Sequence, residues 1–136
     1  ATLAASGKYW LGLGDGAFFS ATTTTEPNDF IGFRRLAGEA LKVVTIDDTV
    51  ETANELSPTL TPTNGTFYVV KLEVIKLTAT TWAVRFYRDG LLVGAHSTNL
   101  PDSGAALTVG FKHFGDGGSN LLDFAYGWQL RAATQT

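Results

Sequence analysis

Apolar and polar residues alternate with a period of two along most of the chain, and Gly, Asn, Asp and Pro residues interrupt the alternation. Successive side chains of a β-strand point to opposite faces, so this pattern predicts half-buried strands. No stretch shows the sustained 3.6-residue apolar repeat of an amphipathic helix. The sequence therefore predicts an all-β fold of short strands joined by turns.

The most regular alternation lies near the C-terminus, where every second residue from Leu122 to Leu130 is apolar. Asp123 and Arg131 lie on the opposite face. Tyr126 and Trp128 could instead form a platform for a ligand, but their even spacing favours a place in the core. We expect a half-buried strand here.

A β-hairpin is predicted where Thr81–Arg88 is followed by Asp89-Gly90 and Leu91–His96. Asp-Gly tolerates the two positive φ angles of a type I′ turn. A two-residue loop would pair Arg88 with Leu91, Tyr87 with Leu92, and Phe86 with Val93. The residues expected on its buried face are Trp82, Val84, Phe86, Val93 and Ala95. Those expected on the opposite, only partly polar face are Arg85, Tyr87 and Leu92.

Further strands are predicted at Lys8–Leu13, Ala17–Ser20, Phe30–Leu36, Leu41–Ile46, Phe67–Leu77 and Leu107–Phe114. Many short strands with intervening turns are typical of a sandwich or barrel. The composition does not change along the chain, so residues 1–136 are expected to form one domain. In the sandwich, the core would include Phe124, Tyr126 and Trp128 beside the hairpin.

Composition narrows the classes of function. The 136 residues include no cysteine, which excludes disulfides and thiolate metal sites. The net charge is −3 and the largest basic cluster is the pair Arg34-Arg35, so a nucleic-acid partner is not expected. No apolar stretch approaches the roughly 20 residues of a membrane-spanning helix, so a membrane partner is not expected.

From Phe30 onward the order of features resembles the laminin-G-like, concanavalin A-like lectin/glucanase superfamily. The segments that carry the resemblance are Phe30–Arg34, Tyr68–Val74, Val84–His96, Thr98–Pro101 and Leu121–Trp128. The order is similar to that of modules in bacteriophage virion proteins. The resemblance implies an antiparallel jelly-roll β-sandwich. Few strands precede Phe30, so the sandwich is either N-terminally trimmed or part of a longer chain.

Catalytic residues are not evident. A glucanase of this superfamily needs paired acids, and the nearest pair, Glu51 and Glu55, would lie about 13 Å apart on a strand. Glycoside hydrolysis needs carboxyl groups roughly 5–9.5 Å apart. His96 and His113 lack metal-ligand spacing or a nearby nucleophile motif. We therefore expect a protein that is not an enzyme and needs no cofactor.

Loop residues offer the best candidate ligand site. His113, Asp116 and Asn120 surround a glycine-rich segment, where the backbone can approach a ligand closely. Their side chains could accept hydrogen bonds from sugar hydroxyl groups. Ca²⁺ is an alternative ligand for the same side chains, although the sequence assigns no residue as a metal ligand. The alternative is that the segment is only a turn.

Three hypotheses follow for function. The first is a bacteriophage virion accessory module, such as a capsid decoration or fibre domain, which docks on coat subunits or on a host glycan at the virion surface. Tyr87 and Leu92 would then be the contact surface, with a homo-oligomer as one outcome. The second is a secreted, extracellular carbohydrate-binding module. The third is a glycoside hydrolase.

Overall fold

The computed structural model describes residues 8–21, 26–56, 68–102 and 104–114. These residues form an all-β structure with one short helix, as the alternation predicted. The elements, in chain order, are β1 (Lys8–Asp15), α1 (Gly16–Ser20), β2 (Phe30–Arg35), β3 (Lys42–Asp47), β4 (Val50–Glu55), β5 (Val70–Lys76), β6 (Trp82–Arg88), β7 (Leu91–His96) and β8 (Leu107–Phe114).

The strands form two antiparallel sheets. The first has the strand order β4-β3-β2-β1-β8, and the second has the order β5-β6-β7. The two sheets share one apolar core, in which Phe33 of β2 and Phe86 of β6 meet edge to face at 5.9 Å between ring centroids. Such interdigitation of two inner faces is the packing of a β-sandwich.

The opposite face of the five-stranded sheet is covered by α1. The sequence predicted a strand at Ala17–Ser20, and this was wrong. Asp15 caps the helix by accepting a hydrogen bond from the Ala17 N–H at 2.8 Å. In a strand Phe18 and Phe19 would point to opposite faces, whereas one helical turn lets both pack on the sheet.

The strand β4 was not predicted, although β3 and β4 form a tight hairpin. Asp48 and Thr49 occupy its turn with φ angles of 47° and 73°. Asp tolerates such an angle, but a β-branched Thr seldom adopts one, so Asp-Thr gives no sequence indication of this turn. The apolar side chain that opens the strand, Val50, is 57% exposed, so the strand also lacks a buried alternating pattern.

The predicted hairpin is confirmed, with one correction. Asp89 and Gly90 both have positive φ angles, and Arg88 and Tyr87 pair with Leu91 and Leu92 as expected. The register then shifts, so that Phe86 lies opposite Gly94 and not opposite Val93. A bulge of this kind moves the following residues of the strand to the other face.

Because of the bulge, a different residue near the end of β7 is buried in the core. Ala95, predicted on the buried face, is exposed, and His96 is buried instead. Gly94 permits the change because a Cβ atom there would lie 2.6 Å from a methyl group of Val43 in the facing sheet. Close approach of the Val43 side chain to the Gly94 backbone accounts for a glycine at this irregularity.

The residues predicted to form the core differ in how far they are buried. Val84 and Phe86 are fully buried, and Val93 is partly buried against the same core. Trp82 is 40% exposed, so its predicted burial was wrong. The predicted strand Leu122–Leu130, with Phe124, Tyr126 and Trp128, lies outside the described residues.

Candidate functional site

A cleft of about 330 Å³ lies at the end of the sandwich where β3 ends and β6 begins. Both sheets contribute to it, together with the β5–β6 turn and the connection from β7 to β8. The lining residues are Asp47, Thr80, Thr81, Trp82, Ser97, Asn99, Leu100, Pro101 and Asp102. This set combines one large aromatic side chain with carboxylate, amide and hydroxyl groups.

Trp82 forms an aromatic wall of the cleft. Alternation places it on the same face of β6 as Val84 and Phe86, but it is the first residue of the strand. It is therefore at the open end of the sandwich and keeps 40% of its surface exposed. Its cross-strand partner, Lys76, holds its ammonium group 5.4 Å from the indole centroid. The ammonium group is attracted to the ring face, which favours this orientation of the indole.

The turn beside Trp82 is held by its own threonines. The Leu77 N–H donates to the Thr81 carbonyl at 2.9 Å, which closes the turn. The Thr81 N–H donates to the Thr78 hydroxyl at 3.0 Å, and the two threonine hydroxyl groups are 2.7 Å apart. Side-chain bonds of this type define the local backbone without a glycine.

Hydrogen bonds attach the connection after β7 to the five-stranded sheet. The Thr45 hydroxyl donates to the Thr98 carbonyl at 3.1 Å, and the Thr98 hydroxyl lies 2.9 Å from that of Thr52. Asn99, in a left-handed conformation with φ of 48°, donates its amide N–H to Thr52 at 2.9 Å. These bonds preorganise the wall of the cleft opposite Trp82, which reduces the ordering cost of binding.

The buried His96 contacts Thr45, the residue that holds this wall at Thr98. Since the Thr45 hydroxyl proton is donated to Thr98, the His96 ring must donate its own Nδ1–H to the Thr45 oxygen, 3.0 Å away. The Nε2 atom of His96 is buried and has no hydrogen-bond partner among the described residues. Burial lowers the pKa of His96, which favours the neutral ring.

Carboxylates dominate the charge of the cleft. The pKa of Asp47 is raised by partial burial, followed by the negative charges of Asp102, Asp48 and Asp29. A backbone hydrogen bond from Asp102 to the Asp47 carboxylate opposes this shift. Among the described residues, no Lys, Arg or His belongs to the lining of the cleft. The cleft therefore presents hydrogen-bond acceptors in a negative potential.

The acid pair considered from the sequence does not lie in this cleft. Glu51 and Glu55 belong to β4, and the Glu51 carboxylate forms an ion pair with Arg34. The second guanidinium nitrogen donates to the other oxygen of Glu51 at 3.0 Å. Arg34 is 3% exposed and also pairs with Glu26, so Glu51 serves to neutralise a buried cation.

The sequence-predicted ligand site is described only at His113. This residue lies on β8 opposite Tyr9, and its ring stacks on Phe111 with 6.5 Å between centroids. Asp116 and Asn120 lie outside the described residues. The three-residue site and its Ca²⁺ alternative stay predictions. Among the described residues, no group of three or more His, Asp or Glu side chains is placed to hold a metal ion.

The predicted contact surface lies on the outer face of the three-stranded sheet. Tyr87 and Leu92 are opposite each other across β6 and β7, and Leu92 is 50% exposed. The Tyr87 hydroxyl donates to Glu73 at 2.9 Å, which, followed by the hydrogen bond from Lys71, lowers the pKa of Glu73. The face thus mixes exposed apolar side chains, Leu92 and Ala95 among them, with ion pairs, and a partner there stays a prediction.

Sequence reasoning missed most of the cleft. Asn99 and Pro101 were noted only for the fold, and Trp82 was placed in the core. A usable indication was the run Asn99–Asp102, where a turn-forming Asn, a Pro and an acid lie together between two strands. Nothing in the sequence links that run to Asp47, because only the packing of the two sheets brings them together.

Comparison with protein-family models, curated proteins and solved structures finds no match to this chain. No helix among the described residues has the length and apolar character needed to cross a membrane.

Proposed function

We propose that this protein is a carbohydrate-binding module that is not an enzyme and that holds a glycan in the cleft beside Trp82. The observation that carries this proposal is the half-exposed indole facing a set of polar groups that includes Asp47, Asn99 and Asp102. A sugar ring has an apolar C–H face and a rim of hydroxyl groups. The indole suits the first, and carboxylate or amide oxygens accept hydrogen bonds from the second.

The dimensions of the cleft agree with a short saccharide. Small-ligand sites usually occupy about 300–1,000 Å³, and the cleft is near the lower limit at about 330 Å³. Both walls are fixed by hydrogen bonds within the described residues, at Thr78 and at Thr98. A preformed cleft of this size suits the end of a glycan or a few of its sugar units.

The setting we propose is the surface of a bacteriophage virion, where the module attaches to coat subunits and presents the cleft to a host glycan. Its sandwich would be a jelly roll of the laminin-G-like, concanavalin A-like class. The return of β8 from the second sheet to the side of β1 supports this topology, together with the resemblance of Phe30–Arg34 and Val84–His96. A secreted module with the same cleft is the alternative setting, and a gene location among capsid genes would favour the virion.

A glycoside hydrolase is the second candidate, and one observation favours it. Two acidic residues, Asp47 and Asp102, line the cleft, and the pKa of Asp47 is raised, which is the direction that favours a general acid. Against it, the Asp47 carboxylate accepts a backbone hydrogen bond from Asp102, which stabilises its ionised form. Release of reducing ends from a bound glycan would establish hydrolysis.

The test begins with a glycan array and continues with calorimetry on the strongest ligand. Trp82→Ala should weaken binding about tenfold or more, since the stacking surface is lost, while Trp82→Phe should retain most of it. Leu91→Ala is a matched control, because Leu91 is 58% exposed and is not a lining residue. The proposal is wrong if no glycan binds, or if Trp82→Ala binds as the wild type does.

A further inference from the structure

The charge around the cleft points beyond glycans in general to one chemical class. Of the lining residues that the structure describes, two are acidic, Asp47 and Asp102, and none is basic. Asp48 and Asp29 are near enough for their charges to act on Asp47. The aromatic wall and the volume define the binding site, and the carboxylates define its potential.

From this arrangement we infer that the cleft selects saccharides that carry a free, protonated amino group over neutral saccharides, and that it rejects anionic ones. This inference depends on the proposed glycan binding. An ammonium group placed between Asp47 and Asp102 would donate hydrogen bonds to both carboxylates and relieve their mutual repulsion. A carboxylate or sulfate on the sugar would meet only like charges there.

Lys76, the cross-strand neighbour of Trp82, is engaged outside the cleft lining. Lys76 lies over the Trp82 ring and is not among the lining residues. Its ammonium group is attracted to the π face of the indole. The carboxylates of the cleft therefore stay available to a ligand. The described lining is acidic, so a positively charged amine on the ligand would complement it.

The experiment compares three oligosaccharides of equal length by calorimetry: a glucosamine oligomer, its N-acetylated form and an oligogalacturonate. The amine should bind about fivefold or more tightly than the N-acetylated form, as expected for a partly screened ion pair, and the uronate should not bind. The preference should shrink when salt is raised from about 50 mM to about 500 mM.

Variants separate charge from stacking. The double variant Asp47→Asn, Asp102→Asn should lose the preference for the amine and keep binding of the N-acetylated form. Glu39→Gln removes one negative charge beyond the opposite end of β3 and should keep the preference. Trp82→Ala should weaken binding of both saccharides.

The outcomes distinguish the two proposals. Equal binding of the amine and the N-acetylated form, or binding of the uronate, overturns the selectivity and leaves glycan binding intact. Failure of every saccharide here and on the array overturns glycan binding itself, and the selectivity with it.

Discussion

Trp82 and Phe86 share one strand and one face of that strand, yet they belong to different parts of the molecule. Phe86 is fully buried and meets Phe33 of the facing sheet, whereas Trp82 is 40% exposed and lines a cleft. The two residues are four positions apart, which is two periods of the alternation, and Val84 lies between them on the same face. The difference shows that alternation determines the face of a side chain, and that position along the sandwich determines its burial.

The contrast extends to the polar groups around each residue. Near Phe86, the buried His96 is bonded to Thr45 and packs its ring edge on the phenyl group at 5.1 Å. Near Trp82, Asp47 and Asp102 keep oxygen atoms that can meet a ligand. The middle of the sandwich thus provides rigidity, and its open end carries recognition, as is usual for loops on a β scaffold.

The largest expected effect is at the centre. Phe86→Ala should lower the free energy of unfolding by about 3–5 kcal/mol, because it removes buried contacts and leaves a cavity. Trp82→Ala, measured by the same urea titration, should cost clearly less, since part of that side chain is already hydrated. Equal costs for the two variants would contradict the distinction between core and cleft.

A smaller effect is expected where the two regions join. Thr45→Val should cost about 1–3 kcal/mol in urea unfolding, because the His96 Nδ1–H and the Thr98 carbonyl lose their partner. Glycan affinity should also fall, since Thr98 holds the cleft wall. Thr108→Val, at an exposed position of β8, is the control and should change stability by less than about 0.5 kcal/mol. Unchanged affinity in Thr45→Val would show that the wall is independent of the core.

A smaller effect is expected in the pH dependence of the free energy of unfolding. The pKa of His96 is lowered by burial from 6.5, so below that value the unfolded chain binds a proton that the folded protein does not. The stability from the neutral ring is complete above pH 6.5 and is lost as pH falls toward the folded pKa, by at most about 1.4 kcal/mol per pH unit. Urea titrations of wild type and His96→Asn across this range should diverge. Parallel curves would exclude His96 as the source.

Many of the strands can be predicted from local sequence patterns. Alternation from Leu107 to Phe114 predicted β8 with its observed bounds, and Asp89-Gly90 predicted the hairpin turn. These features are local, since a strand face follows from the period of two and a type I′ turn from residues that tolerate positive φ. The sequence also placed Val84 and Phe86 in the core, because both lie near the middle of a regular strand.

Other features depend on contacts between residues far apart in the sequence, and these follow from how the two sheets pack. Phe18 and Phe19 form a helical turn because the bare face of a sheet must be covered, and β7 bulges because Gly94 meets Val43 of the other sheet. The cleft exists because two sheets end at the same level, which brings Asp47 to Trp82. No pattern along one strand encodes that meeting, since it depends on how one sheet is placed over the other.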